Sequence, residues 1–469
     1  MTDREISSLF GGAGDLIRRE LHCGGHTVYA YMIDGLVSSG TVSDYVFHPL
    51  VSMTEDSMQN LYRRAVEGEV YNAVADVCPD LDTAATKIVN GFCVVLFPGV
   101  GALAFEAKTG EKRSISAPDV ENTVKGPRDA FTETVRTNTS LLRRHLRTPA
   151  LRLDQTTVGR RSLTLVTVAW IEGLTSPELV RRLKKRLDEI DVDGLISTAA
   201  VEEYVSGSRL TPFPLLEFTE RTDKFAQGLL SGRVGLLVDG LPVGYLLPVD
   251  LGELMSSPED RGMDFVSASF VRILRWGALL LSLALPGMFV ALTTFHQQMI
   301  PLPLLKSMIE SRANVPFSTA GEVAGLLMAF ELLQEAGIHL PQSVGQSVSI
   351  IGGIVVGTAA VEASLVSPGA LIAVSLAGIC GFSLPSRDFA QAVRLCRMGL
   401  VAMGAAAGLF GVTVGMLLLL IHLAGLTSLG IAYLEPFSGL EEPEFLRTRL
   451  KENRFRPLRL HPQDRRNQK

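Results

Sequence analysis

Charge is in short supply in this sequence. Only 20% of its 469 residues are Asp, Glu, Lys or Arg, against about 25% in ordinary soluble domains. The shortage is local. Between Trp276 and Leu434 the charged residues are Lys306, Glu310, Arg312, Glu322, Glu331, Glu335, Glu362, Arg387, Asp388, Arg394 and Arg397. The stretches 276–305, 336–361, 363–386 and 398–434 hold none. About 20 apolar residues carry a helix across a bilayer, so each stretch is long enough to span once and the last nearly twice. Cysteine is also scarce, with five residues and no CxxC. That excludes a disulfide framework and fits a reducing compartment. Net charge is −5, without the basic excess that nucleic acid would ask for. No basic segment followed by an apolar run opens the chain, so no cleaved leader is expected, and the first span near Trp276 is expected to insert the protein.

Enzyme signatures are missing as well. There is no GxxxxGK[ST] phosphate loop, no HExxH and no GxSxG. Gly11-Gly12-Ala13-Gly14 follows no strand pattern, and His22, Cys23 and His26 flank a Gly-Gly pair that reads as a turn. Neither a catalytic site nor a cofactor is expected.

The first 275 residues carry 30 basic and 37 acidic side chains, a soluble composition, and they are internally duplicated. Met32-Ile33-Asp34-Gly35-Leu36 returns as Trp170-Ile171-Glu172-Gly173-Leu174. Residues 85–105 match 226–246 at a constant offset of 141, pairing Asn90-Gly91 with Ser231-Gly232 and Pro98-Gly99 with Asp239-Gly240. Phe92–Phe97 and Val234–Val238 read as strands, each closed by a turn pair. Leu179, Leu183 and Leu187 place a helix on 177–189.

The expected fold class is therefore an α/β soluble N-terminal head of two similar subdomains followed by an all-α polytopic membrane domain of about five transmembrane helices. The expected boundaries are 1–120 for the first subdomain, 121–161 for a basic connector, 162–270 for the second subdomain, 271–434 for the membrane domain and 435–469 for a polar basic tail. Nine Lys and Arg make the connector basic. It reads either as a surface for an anionic partner or lipid headgroups, or as a linker helix pairing with acids of the subdomains. Arg272 and Arg275 before the first span favour a cytoplasmic head, and Arg387, Arg394 and Arg397 mark a further inside loop. Phe295-His296-Gln297-Gln298 with Pro301 and Pro303 ends the first span.

Ionisable residues at membrane depth are functional candidates. Glu322, Glu331 and Glu335 fall on one face of an otherwise apolar helix, and Glu362 separates two uncharged stretches. These four are the candidate pore-lining residues; an amphipathic interfacial helix and a tight turn are the competing explanations. GxxxG spacing at Gly353/Gly357, Gly404/Gly408 and Gly411/Gly415 marks candidate helix-packing faces.

Several segments together resemble the A subunits of spore germination receptors, the GerA family. They are Lys125-Gly126-Pro127-Arg128-Asp129-Ala130-Phe131-Thr132-Glu133-Thr134, Thr211-Pro212-Phe213-Pro214, Thr219-Glu220-Arg221, Gly232-Arg233-Val234 and Ser257-Pro258-Glu259-Asp260. In the apolar half they are Ala291-Leu292-Thr293-Thr294-Phe295-His296-Gln297, Val344-Gly345-Gln346 and Val366-Ser367-Pro368. The resemblance implies a multi-pass protein of the spore inner membrane, head on the cytoplasmic core side. It implies assembly with a transporter-like B subunit and a lipoprotein C subunit, homo-oligomerisation among membrane lipids, and a ligand-gated cation channel that triggers germination. A paralogous branch encoded beside dipicolinate channel genes shares the domain. A secondary transporter and a non-conducting scaffold for germination proteins are the alternative readings.

Overall fold

The computed structural model describes residues 1–434 apart from 73, 110–117, 119–120, 122–125, 207–209 and 339–354. The tail, Gly353 and Val344-Gly345-Gln346 thus lie outside the described residues.

The head is two five-stranded antiparallel sheets of one topology. The first comprises β1 (Leu16–Cys23), β2 (His26–Ile33), β3 (Ala75–Cys78), β4 (Phe92–Phe97) and β5 (Gly101–Glu106), in the order β1-β2-β4-β5-β3. The second comprises β6 (Leu151–Val158), β7 (Thr164–Ile171), β8 (Glu217–Thr219), β9 (Val234–Val238) and β10 (Gly244–Leu247), in the order β6-β7-β9-β10-β8. The repeat read from paired glycines is thus a repeat of architecture. The paired glycines also share backbone shape: φ is 77° at Gly35 and 76° at Gly173, and 78° at Gly99 and 86° at Gly240. Only glycine reaches those turns without strain.

Central strands such as Phe-Cys-Val-Val-Leu-Phe are apolar throughout because both faces are covered. Val28, Val95 and Phe105 pack on one side of the first sheet. Tyr31, Val94 and Leu96 pack on the other, under α1 (Asp3–Phe10) and α2 (Leu81–Val89). The second sheet is covered on one face by α3 (Val135–His145) and α6 (Thr222–Leu230). Its other face lies under α4 (Pro177–Asp188) and α5 (Thr198–Ser206). The region 121–161 is not a plain linker, since it contains α3 and the edge strand β6. Its basic side chains meet acids of the subdomains: Arg143 donates to both carboxylate oxygens of Asp15 at 2.7 and 2.9 Å, and Arg136 to Asp34 at 2.6 Å. His22-Cys23 and His26 flank a hairpin turn at Gly24-Gly25.

Most of the described residues beyond the head are helical. α7 (Phe265–Thr294) is followed by α8 (Leu302–Arg312), α9 (Thr319–Ile338), α10 (Pro368–Phe382) and α11 (Arg387–Gly425). Two of these, α7 from Val266 and α11, have the length and apolar composition to cross a membrane; α10 is apolar but shorter. α9 carries Glu322, Glu331 and Glu335. The expected inside-loop residues Arg387, Arg394 and Arg397 instead lie within the first turns of α11, while Arg275 is held by Asp260 at 2.7 Å. α7 ends before Pro301, as the break there requires.

α11 is folded back on itself. At Ala407 and Gly408 the backbone leaves the helical region, with φ 63° at Gly408. In a straight helix Leu400 and Gly415 would lie roughly 22 Å apart at 1.5 Å per residue. Here a Cβ on Gly415 would come 2.6 Å from Leu400 Cδ2. The arms 387–406 and 409–425 form a hairpin whose two ends meet Phe213 of the head, through Phe389 and His422, each at 6.0 Å between ring centroids. Beyond it, β11 (Thr427–Ser428) and β12 (Ile431–Ala432) form a small ribbon that docks on the head. Leu429 and Ile431 enter the core of the second subdomain.

Candidate functional site

A cleft of about 840 Å³ opens where the second subdomain meets the helices. Three elements and one extended segment build it. On α5, Val201 and Val205 are buried in the sheet's core, which turns Glu202 and Glu203 to the cleft. On α9, Val323, Leu326 and Leu327 pack inward, and Met328, Glu331, Gln334 and Glu335 line it. On α11, Ser386 caps the helix start by accepting from Phe389 N at 3.4 Å. Phe389, Ala392 and Val393 pack inward, which presents Asp388, Gln391, Arg394 and Leu395. Thr211-Pro212-Phe213-Pro214 closes one wall.

The lining is strongly acidic: Glu202, Glu203, Glu331, Glu335 and Asp388 against Arg394. Arg394 Nη1 donates to Glu331 at 3.1 Å and Arg397 Nη2 at 3.5 Å. Arg397 is buried, and its Nε and Nη1 have no partner among the described residues. Burial, then the charge of Asp388, pushes the Glu202 carboxyl up to about 7. Behind them the Tyr245 hydroxyl is buried without a hydrogen-bond partner among the described residues. Burial, then the charges of Glu202 and Asp388, raises its pKa.

The candidate acids do not all converge here. Glu331 and Glu335 line the cleft. Glu322 lies nine residues earlier on α9, roughly 13 Å away along the axis. It is 1% exposed, ion-paired with Arg312 at 3.2 Å and accepting from Ser367 N at 2.8 Å. It joins α8, α9 and the start of α10. Glu362 is exposed in the turn before α10. Of the glycines, Gly404 approaches α7, where an added Cβ would sit 2.7 Å from the Gly287 carbonyl oxygen. Gly411 faces Met403 across the hairpin, and Gly408 forms the bend beside His296. Gly357 lies loosely against Leu371, at 3.6 Å.

Sequence reasoning missed Glu202, Glu203, Asp388 and Tyr245. α5 reads as an ordinary head helix, and nothing local links it to a residue some 190 positions later. The acids of α9 were detectable because they interrupt an apolar run.

Comparison with known proteins gives a consistent set of relatives. A family model described as Bacillus/Clostridium GerA spore germination protein matches residues 4–459. The chain is 33% identical over 441 residues to the uncharacterized membrane protein YfkQ of Bacillus subtilis (strain 168), covering 94% of this chain and 86% of that one. It is 34% identical over 441 residues to spore germination protein KA of the same strain, covering 92% and 80%. With spore germination protein A1, also of that strain, identity is 36% over 352 residues, covering 75% and 73%. Among solved structures, the N-terminal domain of the A subunit of the Bacillus megaterium spore germinant receptor GerK3 aligns at 26% identity with a TM-score of 0.41, covering 51% of this chain and 91% of that one.

Proposed function

The chain belongs to the Bacillus/Clostridium GerA spore germination protein family, and from that premise we propose that it is the A subunit of a nutrient germinant receptor in the endospore inner membrane. In this reading it oligomerises with copies of itself, works beside a transporter-like B subunit and a lipoprotein C subunit, and forms a ligand-gated cation channel. The head lies on the core side. The helices of 271–434 cross the bilayer. Leu251 N donates to Tyr433 O at 3.0 Å, so the helical half begins and ends beside the head. In this reading both ends of that half lie on one side of the bilayer and the crossings are even in number, where composition suggests about five. The hairpin glycines Gly404, Gly408, Gly411 and Gly415 hold helices at close approach, and the Gly353/Gly357 pair is assigned a similar packing role.

One observation carries the reading: the acidic cleft where the head meets the helices, with Glu331 and Glu335 on one wall and Glu202, Glu203 and Asp388 on others. A cleft of one sign with apolar walls gathers counter-ions before they enter a path. Glu362, exposed at the other end of α10, is a candidate for the opposite mouth. Spores carrying Glu331→Ala with Glu335→Ala are expected to assemble the receptor at normal abundance and release monovalent cations several-fold more slowly on nutrient exposure. Unchanged release would remove the cleft from the ion path. Substrate uptake by the protein alone in liposomes would favour a transporter instead.

A further inference from the structure

The two halves of α9 are held in different ways. Val323, Leu326 and Leu327 in its first half share a buried cluster with Val290 of α7, Ala370 and Val374 of α10 and Val401 of α11. From Met328 to Ala336 no residue of α9 is buried, although Phe330 packs in part on that cluster. This second half walls the cleft through Met328, Glu331, Gln334 and Glu335. On α11, Arg394 and Arg397 lie three residues apart and so share one helix face. Arg394 Nη1 donates to Glu331 Oε2 at 3.1 Å and also to Gln334 Oε1. Arg397 Nη2 donates to the other carboxylate oxygen, Glu331 Oε1, at 3.5 Å. Two guanidinium groups thus grip one carboxylate.

The grip is unequal. Arg394 is partly exposed and has a second acceptor in Gln334. The Arg397 side chain is 4% exposed, and its Nε and Nη1 find no acceptor among the described residues. A guanidinium brings five N–H donors, and burying it is unfavourable unless an opposite charge compensates. Glu331 supplies that charge. Moving α9 away from α11 would leave Arg397 buried without it, so the contact resists opening. A fixed guanidinium repels cations, and a carboxylate already paired with two of them no longer attracts any.

We propose that Arg394 and Arg397 are the gate of the cleft. They mask Glu331 and hold the second half of α9 on α11, which keeps cations out. When that half swings from α11, Glu331 rejoins the acidic lining and the cleft opens to cations. The proposal rests on the reading of the cleft as part of a cation path, and it names the side chains that keep the path shut.

The test compares spores carrying Arg397→Met or Arg394→Gln with native spores, by potassium release without nutrient and by abundance of the chain. Arg397→Met exchanges a buried, poorly matched ion for an apolar side chain of similar length. Both variants are expected to release potassium several-fold faster than native spores at normal abundance. Arg394→Lys keeps a charge for its contact and is expected to stay near the native rate. Amide hydrogen exchange of the full chain in detergent is expected to quicken across 328–336 in the first two variants and not across 319–327. Native release without nutrient in both overturns the gate, and unchanged exchange overturns the grip. If Arg397→Met does not accumulate, Arg394→Gln decides alone. Loss of Glu331 leaves both guanidinium groups bare, so Glu331→Ala with Glu335→Ala does not mimic opening and tests the path itself. Unchanged nutrient-triggered release in that double variant removes the path and the gate with it. Slowed release there, with quiet arginine variants, leaves the path and removes the gate.

Discussion

Arg143 is fully buried, yet it is an ion. Its two-pronged pairing with Asp15, together with a donation to Thr148 O at 3.1 Å, satisfies the guanidinium. Removing one member leaves the other charge buried and alone, at a cost of about 3–5 kcal/mol. Asp15→Ala is therefore expected to lower the unfolding midpoint of the head sharply, while the double variant Asp15→Ala with Arg143→Met recovers much of the loss. Thermal unfolding followed by circular dichroism reads both. A second residue pair carries a pH signature. Asp129 Oδ2 meets His145 Nε2 at 2.7 Å. Burial opposes the Asp129 charge, but hydrogen bonds from His145 and Thr222 outweigh it and set the carboxyl at about 2. The hydrogen bond to Asp129 raises His145 above its usual value. The Asp129 contribution is present above the ordinary carboxyl value and lost as pH falls toward 2. The His145 contribution is present below about 6.5 and lost as pH rises through its raised value. Stability should thus sag as pH rises from about 6.5, and His145→Gln should flatten that sag in a pH series of unfolding midpoints.

At the scale of the element, the helical hairpin gives the sharpest expectation. A Cβ on Gly411 would fall 2.0 Å from the Met403 carbonyl oxygen, whereas one on Gly399 meets nothing within 4 Å. Gly411→Ala must spread the two arms, with overpacking typically costing about 1–3 kcal/mol. Gly399→Ala is expected to be near neutral. Melting of the two detergent-solubilised variants distinguishes them. The stretch 398–434 is long enough for nearly two passes, but the place of the bend was hidden because nothing polar marks it: Ala405-Ala406-Ala407-Gly408 reads as continuous helix. The duplication was legible because turns demand glycine at fixed places. The edge strands β1 and β6 were not, since Arg18, Arg19 and Glu20 face solvent at one edge, and Arg152 and Asp154 mix with apolar residues at the other. An edge strand keeps charge where a central strand cannot. In the same way, Glu331 stood out in an apolar helix, while its partners Arg394 and Arg397 resembled a loop signal.

Across the whole molecule, head and helices are joined through the ribbon β11–β12. Ser428 accepts from Val249 N at 3.1 Å and donates to Leu215 O at 2.5 Å, both buried. Ser428→Ala leaves two buried backbone groups unmatched, at about 1–3 kcal/mol. Faster hydrogen exchange in β8, β11 and β12, with the first sheet unaffected, is the expected result. The ribbon also imposes an order of events. Leu429 and Ile431 complete the core of a subdomain whose own strands were synthesised some 200 residues earlier. At synthesis rates of about 5–20 residues per second, that core waits roughly ten seconds or longer for its last two side chains. They arrive only after all the described helices have left the ribosome. A finished second subdomain is thereby a record that translation of the helical half ran to its end.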